Sequence, residues 1–335
     1  MSYVLGVDGG GSKTHALLAE ASAVLLGFGQ SGTGNYEGVG LPAAMQAVAA
    51  ASLQACQRGG VSAAEIEVGC FCLAGADFPE DFDMLQRAVQ EKHLAQRVII
   101  KNDSYAALRS GTRRPYGIVI IMGSGFNAAA IDPAGREHRL AGEGYLYGDW
   151  GGAGDIGPEV MHRIFRAHDG RGRPTMLTQW VLEFFGAANM EELTRRLYRG
   201  QIEHRTIAET TPLVFEAACA GDEVACDIVR KIGAETVAAA AAMMRRAAME
   251  ECEVDVVLGG AVFRGKGPLL REVISAGVHA VNPLAKIVVP EYLPVVGAVV
   301  AAAEAAVGRA DDEMWENLES SYQAVVARVG KPDQS

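Results

Sequence analysis

Twice in this chain an apolar run of strand length stops at a string of glycines and then resumes as a second apolar run. Val4–Val7 ends in Asp8-Gly9-Gly10-Gly11 and continues at Thr14–Ala19, and Gly117–Met122 ends in Gly123-Ser124-Gly125 and continues through Asn127–Ile131, closed by Asp132-Pro133-Ala134-Gly135. Glycines between two such runs mark turns in which the backbone can approach itself or a ligand closely. The recurrence after about 110 residues predicts two similar halves with βββαβα-like order and a cleft between them, an α/β architecture.

The intervening pattern fits. Leu41, Met45, Val48, Ser52 and Cys56 fall at helical spacing over about Leu41–Arg58, a strand follows at Glu67–Leu73, a helix at about Phe82–Lys92, and a strand at Val98–Lys101 that ends in Asn102-Asp103. Beyond Asp149–Gly157, which opens a helix, the chain reads as mostly helical, with strands at Val254–Leu258 and Lys286–Val289. The expected domains are 1–112, 113–308 with a helical insertion, and a tail at 309–335, with the helix at 295–308 packing back on the first domain. In the tail, Trp315, Leu318, Tyr322 and Val325 are spaced for one more helix that packs on its own chain or on a partner.

A net charge of -11 repels phosphate backbones and anionic lipid, so nucleic-acid and membrane-surface roles are not expected. The Met1 end lacks a basic-then-apolar leader, and the apolar stretch Leu293–Ala303 is cut by Glu304, so a cytoplasmic location is expected. The six cysteines form no C-x-x-C pair and lie in apolar stretches, which predicts reduced, buried thiols, with Cys70 and Cys72 on one strand face. None of the seven histidines has a partner at ligand spacing, which argues against zinc.

Asp8-Gly9-Gly10-Gly11-Ser12-Lys13-Thr14 puts a carboxylate at a strand end, then backbone without side chains, then hydroxyl and ammonium donors. The carboxylate can hold hydrated Mg²⁺ and the amides can cradle phosphate oxygens; a tight hairpin is the plainer reading. Gly123-Ser124-Gly125-Phe126-Asn127 supplies a second loop of that character, and two loops can hold a triphosphate from both sides. It also satisfies a dinucleotide pattern, but a strand follows it where that motif needs a helix. Gly152–Gly157 lacks a preceding strand, and Gly260–Lys266 lacks the Ser or Thr of a P-loop because Gly267 stands there. Gly259-Gly260 makes better sense as backbone along which an adenine or ribose lies. Asp103 is either a helix N-cap or a carboxylate that accepts a hydroxyl proton in phosphoryl transfer. Asp149 sits in a loop too rich in glycine for chain reversal alone.

Taken in order, Asp8–Thr14, Gly32-Thr33-Gly34-Asn35, Leu73–Asp77, Asn102-Asp103, Gly123–Asn127, Gly142–Asp149 and Leu258-Gly259-Gly260 resemble the BadF/BcrA-type ATPases, and within them the N-acetylglucosamine kinases, over about residues 3–308. The resemblance implies two ribonuclease-H-like, actin-like ATPase domains closing on Mg-ATP. It makes Gly9, Gly10, Gly11, Ser12, Lys13 and Thr14 one phosphate loop and Gly123, Ser124, Gly125 and Asn127 the other. Gly259 and Gly260 become the adenosine loop, Asp8 the residue facing Mg²⁺ and Asp103 the catalytic base, while Asn35, Asp103, Gly142, Glu143, Gly144 and Asp149 become sugar contacts. The implied function is transfer of the ATP γ-phosphate to an amino-sugar hydroxyl, N-acetylglucosamine first, by a chain expected to be a homodimer.

Similar kinases carry Trp where Glu143 stands, Ser where Ala74 stands and Glu where Trp150 stands. Glucosamine and N-acetylmuramate are therefore alternative acceptors, Glu143 favouring a free amine. Two other classes stay open: an activator ATPase of CoA-ester dehydratases, whose bridging cysteine is absent near Asp149–Gly154, and a non-catalytic sugar sensor.

Overall fold

The computed structural model describes residues 2–326, which fall into two compact units. One takes the residues up to Pro115 together with those from Pro290 onward; the other is Tyr116–Val289.

The first unit is a five-stranded sheet of β1 (Tyr3–Gly9), β2 (Thr14–Glu20), β3 (Leu25–Ser31), β4 (Ile66–Leu73) and β5 (Arg97–Asn102), in the order β3-β2-β1-β4-β5. β1 runs antiparallel to β2 and parallel to β4, and β4 runs parallel to β5. Its helices are α1 (Tyr36–Val39), α2 (Leu41–Gly59), α3 (Pro79–Gln90), α4 (Asp103–Gly111) and, after the second unit, α12 (Val295–Val307) and α13 (Asp312–Val326). Strands buried on both faces read as continuous apolar runs, and β1 obeys the period of two. Leu5 and Val7 pack with Met45, Val48 and Ala55 of α2 and Leu85 of α3. Val4 on the other face packs with Ala106 of α4, Val299 of α12 and Trp315 of α13.

Two close approaches fix these layers. A methyl at Gly6 of β1 would sit 2.3 Å from the Val299 amide nitrogen, and one at Gly297 of α12 would sit 2.1 Å from the Ala106 carbonyl oxygen. On the opposite layer, a methyl at Gly29 would lie 1.9 Å from the Ala51 carbonyl oxygen. This explains why β3 carries no clear strand pattern in the sequence: its glycines give up side chains so that α2 can lie on its backbone. Arg109 of α4, fully buried, pairs with Glu304 of α12. α13 docks through Met314, Trp315, Leu318 and Tyr322, and its Ser321 Oγ accepts the Leu25 N–H at 3.0 Å.

The second unit is a sheet of β6 (Gly117–Met122), β7 (Phe126–Ile131), β8 (Glu137–Arg139), β9 (Val254–Gly259) and β10 (Ala285–Val288), in the order β10-β9-β6-β7-β8. β6 is antiparallel to β7 and parallel to β9, and β9 is parallel to β10. Counted within each unit, the order third-second-first-fourth-fifth is the same in both sheets. Seven helices belong here: α5 (Ala153–His168), α6 (Leu177–Phe185), α7 (Met190–Tyr198), α8 (His204–Ala208), α9 (Thr211–Cys219), α10 (Glu223–Arg246) and α11 (Leu269–Val281). Their apolar stripes share one core with the sheet, from Ile118 and Ile120 to Ile228, Met243 and Ile274.

Among the described residues no helix is long and apolar enough to cross a membrane. Cys56, Cys70 and Cys72 are buried, the last two with their sulfurs 3.9 Å apart, but the expectation of burial is met only in part by Cys226 and Cys252 and fails for Cys219, which is exposed at the end of α9. Asn102, rather than Asp103, caps α4: its side chain accepts the Ser104 N–H at 3.0 Å, which leaves Asp103 as the first helical residue.

The close packing of α12 gives a direct test. Gly297→Ala overpacks the contact with Ala106, a change that typically costs about 1–3 kcal/mol, so a lowered melting temperature of the purified variant is expected; an unchanged one would show that the contact relaxes freely.

Candidate active site

In the first unit, Asp8 stands on β1 directly across from His15 of β2 and Cys72 of β4. Opposed residues share a sheet face, so these three side chains form a row, on the face closed by α4 and α12. Asp103 begins α4 at the end of β5 and is near enough that its charge, after burial, raises the Asp8 carboxyl to about 8; Lys13 opposes both effects. A buried carboxyl with a second carboxylate close by makes a place for a cation. His15 is buried with Nε2 lacking a partner, and burial first, then Lys13, lowers it to about 4. Its position beside Asp8 was not read from the sequence, because register across the sheet sets it.

The loop after Asp8 is tied by its carbonyls. Gly9 C=O accepts the Ala74 N–H at 2.9 Å, and Gly10 C=O accepts both the Gly34 N–H and the Thr33 hydroxyl at 3.1 Å. The Gly10 N–H closes the hairpin on the Lys13 carbonyl at 3.0 Å, and Thr14 Oγ1 donates to the Gly32 carbonyl at 2.8 Å. Gly9 is glycine for packing, since a methyl would strike Leu73 at 2.7 Å, whereas a methyl at Gly11 would meet nothing within 4 Å. Gly11 also lacks a positive φ, so the fold itself does not demand glycine there, and access by a ligand is a reason that remains. Asn35 caps α1, its Oδ1 accepting the Glu37 N–H at 2.9 Å. The Asn102 amide donates to Asp77 Oδ1 at 3.0 Å and so ties the Leu73–Asp77 segment to the start of α4. Segments far apart in sequence, 8–14, 33–35, 73–77 and 102–103, are thus bonded or charge-coupled around Asp8.

In the second unit, the Gly123-Ser124-Gly125 loop rests on the N-terminus of α5: Ala153 N–H donates to Gly123 C=O at 2.8 Å and Gly154 N–H to Ser124 C=O at 2.9 Å. A methyl at Gly123 or Gly125 would meet nothing within 4 Å. Asn127 presents a buried Oδ1 without a partner, 3.2 Å from where a Gly142 methyl would be. Gly142 and Gly144 both have positive φ, and Glu143 between them is exposed. Asp149 is buried and folds its own loop, its Oδ2 accepting the Gly144 N–H at 3.2 Å. Trp150 is buried in the helical core beneath Lys231, whose Nζ lies 3.8 Å from the ring centroid. Gly260 has φ of 99°, and a methyl there would lie 2.2 Å from the Met122 carbonyl oxygen, so β9 ends against the start of the glycine loop. That packing suffices to explain Gly260 whether or not adenosine lies there.

Among the described residues no group of three or more His, Cys, Asp or Glu could hold a metal. Mg²⁺ suits this arrangement nonetheless, because it is commonly held by one or two carboxylates, several waters and the phosphates of its substrate. Asp8, raised by burial and then by the neighbouring Asp103 carboxylate, fits that pattern.

Residues 5–302 match the BadF/BadG/BcrA/BcrD ATPase family. The chain is 28% identical over 263 residues to the N-acetylmuramic acid/N-acetylglucosamine kinase of Clostridium acetobutylicum, covering 78% of this chain and 86% of that protein. It is 31% identical over 231 residues to the N-acetyl-D-glucosamine kinase of Dictyostelium discoideum, covering 66% and 72%. In fold it is similar to the crystal structure of a candidate N-acetylglucosamine kinase from Chromobacterium violaceum, with a TM-score of 0.69, 24% identity and coverage of 90% and 98%.

A carboxyl raised to about 8 favours the folded state when protonated. Its contribution to stability is complete below the ordinary Asp value of about 4 and is lost as pH rises through about 8. In metal-free protein, thermal unfolding across that window should show a fall in melting temperature that Asp8→Asn makes shallower; parallel curves for the two proteins would contradict the coupling.

Proposed function

The chain belongs to the BadF/BadG/BcrA/BcrD ATPase family, and on that footing we propose that it is an ATP-dependent kinase that phosphorylates a hydroxyl of an amino sugar, N-acetylglucosamine first. The observation that carries this reading is the coupling of Asp8 and Asp103 beside a glycine loop open to ligand. Two of the kinases to which the chain is similar are named for N-acetylated hexosamines, and a third is named for glucosamine.

The two units, alike in strand order, are ribonuclease-H-like domains that close on the nucleotide. Gly9–Thr14 and Gly123–Asn127 receive the phosphates, and Gly259-Gly260 lies along the adenosine. Asp8 holds Mg²⁺ through water; the ion, when bound, offsets charge on the β- and γ-phosphates. Asp103 orients the acceptor hydroxyl and takes its proton, and the helix macrodipole at the start of α4 adds to the field around this carboxylate. Lys13 and the loop amides hold negative oxygens in place, so the rate comes from positioning and charge stabilisation. Asn35, Gly142, Glu143, Gly144 and Asp149 shape the acceptor site; Asp149 does so by fixing the Gly144 turn. A cytoplasmic homodimer that binds neither nucleic acid nor membrane completes the reading.

A coupled ADP-release assay with Mg-ATP and, in turn, N-acetylglucosamine, glucosamine, N-acetylmuramate, N-acetylmannosamine and glucose tests it. Strong stimulation by an amino sugar is expected; ATP turnover indifferent to all five would overturn the kinase reading in favour of an activator ATPase. Glucosamine as the preferred acceptor would instead point to Glu143, exposed between two glycines of positive φ, as a partner for its ammonium.

Asp103→Asn should lower kcat by about 10²–10⁴-fold, the usual worth of a general base. Since Asn102 is the cap, the same change should cost no more than the roughly 0.3–1 kcal/mol of a charge at a helix N-terminus. A near-normal kcat with the best sugar would remove Asp103 from the chemistry. Asp8→Ala should abolish turnover with the fold intact, and activity restored by excess Mg²⁺ alone would speak against its role.

A further inference from the structure

Four arginines converge on one cavity of about 560 Å³ in the helical part of the second unit. Arg163 and Arg166 come from the last turns of α5, and Arg171 and Arg173 from the loop that follows; with Gly170 and Gly172 they form most of the wall, and no acidic residue lines it. In a chain of net charge -11 this is against the prevailing field.

Carboxylates hold these guanidiniums from outside the cavity. Arg163 Nε donates to Glu159 at 2.8 Å, Arg171 Nε to Asp169 at 2.9 Å, and Arg173 pairs with Asp227. Glu159 is shared with Lys231 at 3.4 Å and Asp227 with Arg230 at 3.0 Å, so cationic groups outnumber the carboxylates that meet them. Arg166 is half-buried and donates to the Arg171 carbonyl at 3.1 Å. A guanidinium has five N–H donors in a fixed fork, and a single carboxylate or carbonyl occupies only part of it.

The backbone that presents them is set. Gly170 has φ of 82°, Gly172 N–H donates to the Arg166 carbonyl at 2.8 Å, and a methyl on Gly172 would press on Arg166 Cβ at 3.1 Å. Asp222, the cap of α10, receives the Met176 N–H at 2.7 Å and the Thr175 hydroxyl at 3.0 Å, which pins the loop's far end beside Val224 in the first turn of that helix. Guanidinium forks held in part by carboxylates and a carbonyl match the geometry and charge of a tetrahedral oxyanion.

We propose that this cavity is an anion site, independent of the glycine loops, for the phosphate group, either as inorganic phosphate or as the phosphomonoester of a small sugar. A bound anion would stabilise the second unit, increasingly with the logarithm of its concentration once that exceeds Kd. The site does not depend on which sugar, if any, is the acceptor.

Calorimetric titration at low ionic strength with inorganic phosphate, and separately with a hexosamine phosphate, tests this on the full chain. Wild-type protein and Lys266→Gln, which alters an exposed lysine elsewhere in the same unit, should bind equally; Arg166→Gln should bind at least about tenfold more weakly, with affinity falling steeply as salt rises. Arg171→Gln, at an exposed position, should show the same loss and decides the matter if Arg166→Gln does not fold. Whichever ligand binds wild type more tightly and loses that affinity in the arginine variants identifies the source of the phosphate. Equal affinity in wild type and both arginine variants would place the anion elsewhere and overturn the proposal, as would the absence of binding by either ligand to wild type.

Discussion

The approach of α12 to the backbones of β1 and α4 is the contact on which the first unit depends. Gly6 admits the Val299 amide, and Gly297 admits the Ala106 carbonyl, at distances that no side chain would permit. Gly6 lies two residues before Asp8, and Ala106 lies three after Asp103, so the same contact that closes the core sets where both carboxylates stand. The helix that makes it arrives from the far end of the chain, after the whole second unit. Buried on every side, α12 reads as an apolar run interrupted by Glu304, and Arg109 answers that charge. Arg109 is fully buried and Glu304 partly so, and removing Glu304 would leave a buried guanidinium without its counter-charge, which is costly.

The carboxylates so placed are a source of instability in the bare protein. Burial and Asp103 raise Asp8 to about 8, and His15 alongside is held neutral with one nitrogen unsatisfied. Fold stability alone would favour apolar or well-paired groups at these positions. Unfavourable electrostatics concentrated at one strand end is the usual mark of a site whose complement is a ligand. The cation and the acceptor hydroxyl proposed for Asp8 and Asp103 would supply that complement.

Glycines fall into two groups that the sequence alone presents as one. Gly6, Gly9, Gly29, Gly260 and Gly297 are glycine because neighbouring protein atoms leave no room for a methyl, while Gly11, Gly123 and Gly125 face open space without a positive φ. Only the second group asks for an explanation outside the chain. The first accounts for part of the high glycine content as a packing device, left-handed turns such as Gly144 and Gly170 account for another part, and Gly260 places the end of β9 against the loop of β6 without any reference to nucleotide.

Strand–glycine–strand repetition, the helix at 41–59 and the acidic balance were legible because they are local: period, punctuation and charge are properties of neighbours along the chain. The loops at Asp8–Thr14 and Gly123–Asn127 and the strand-end Asp103 were legible for the same reason. β3 was not, since its glycines answer to a helix that packs on them, nor was Asn102 as the cap of α4, because Asp, Asn and Ser are nearly equal at that position. The row of Asp8, His15 and Cys72 depends on register between strands up to about 60 residues apart, which pairing energies across the whole sheet decide. The cavity of Arg163, Arg166, Arg171 and Arg173 lay still further from view. In sequence these are scattered charges beside acidic partners; only the loop folded back on α5, against the start of α10, turns four of them toward one space.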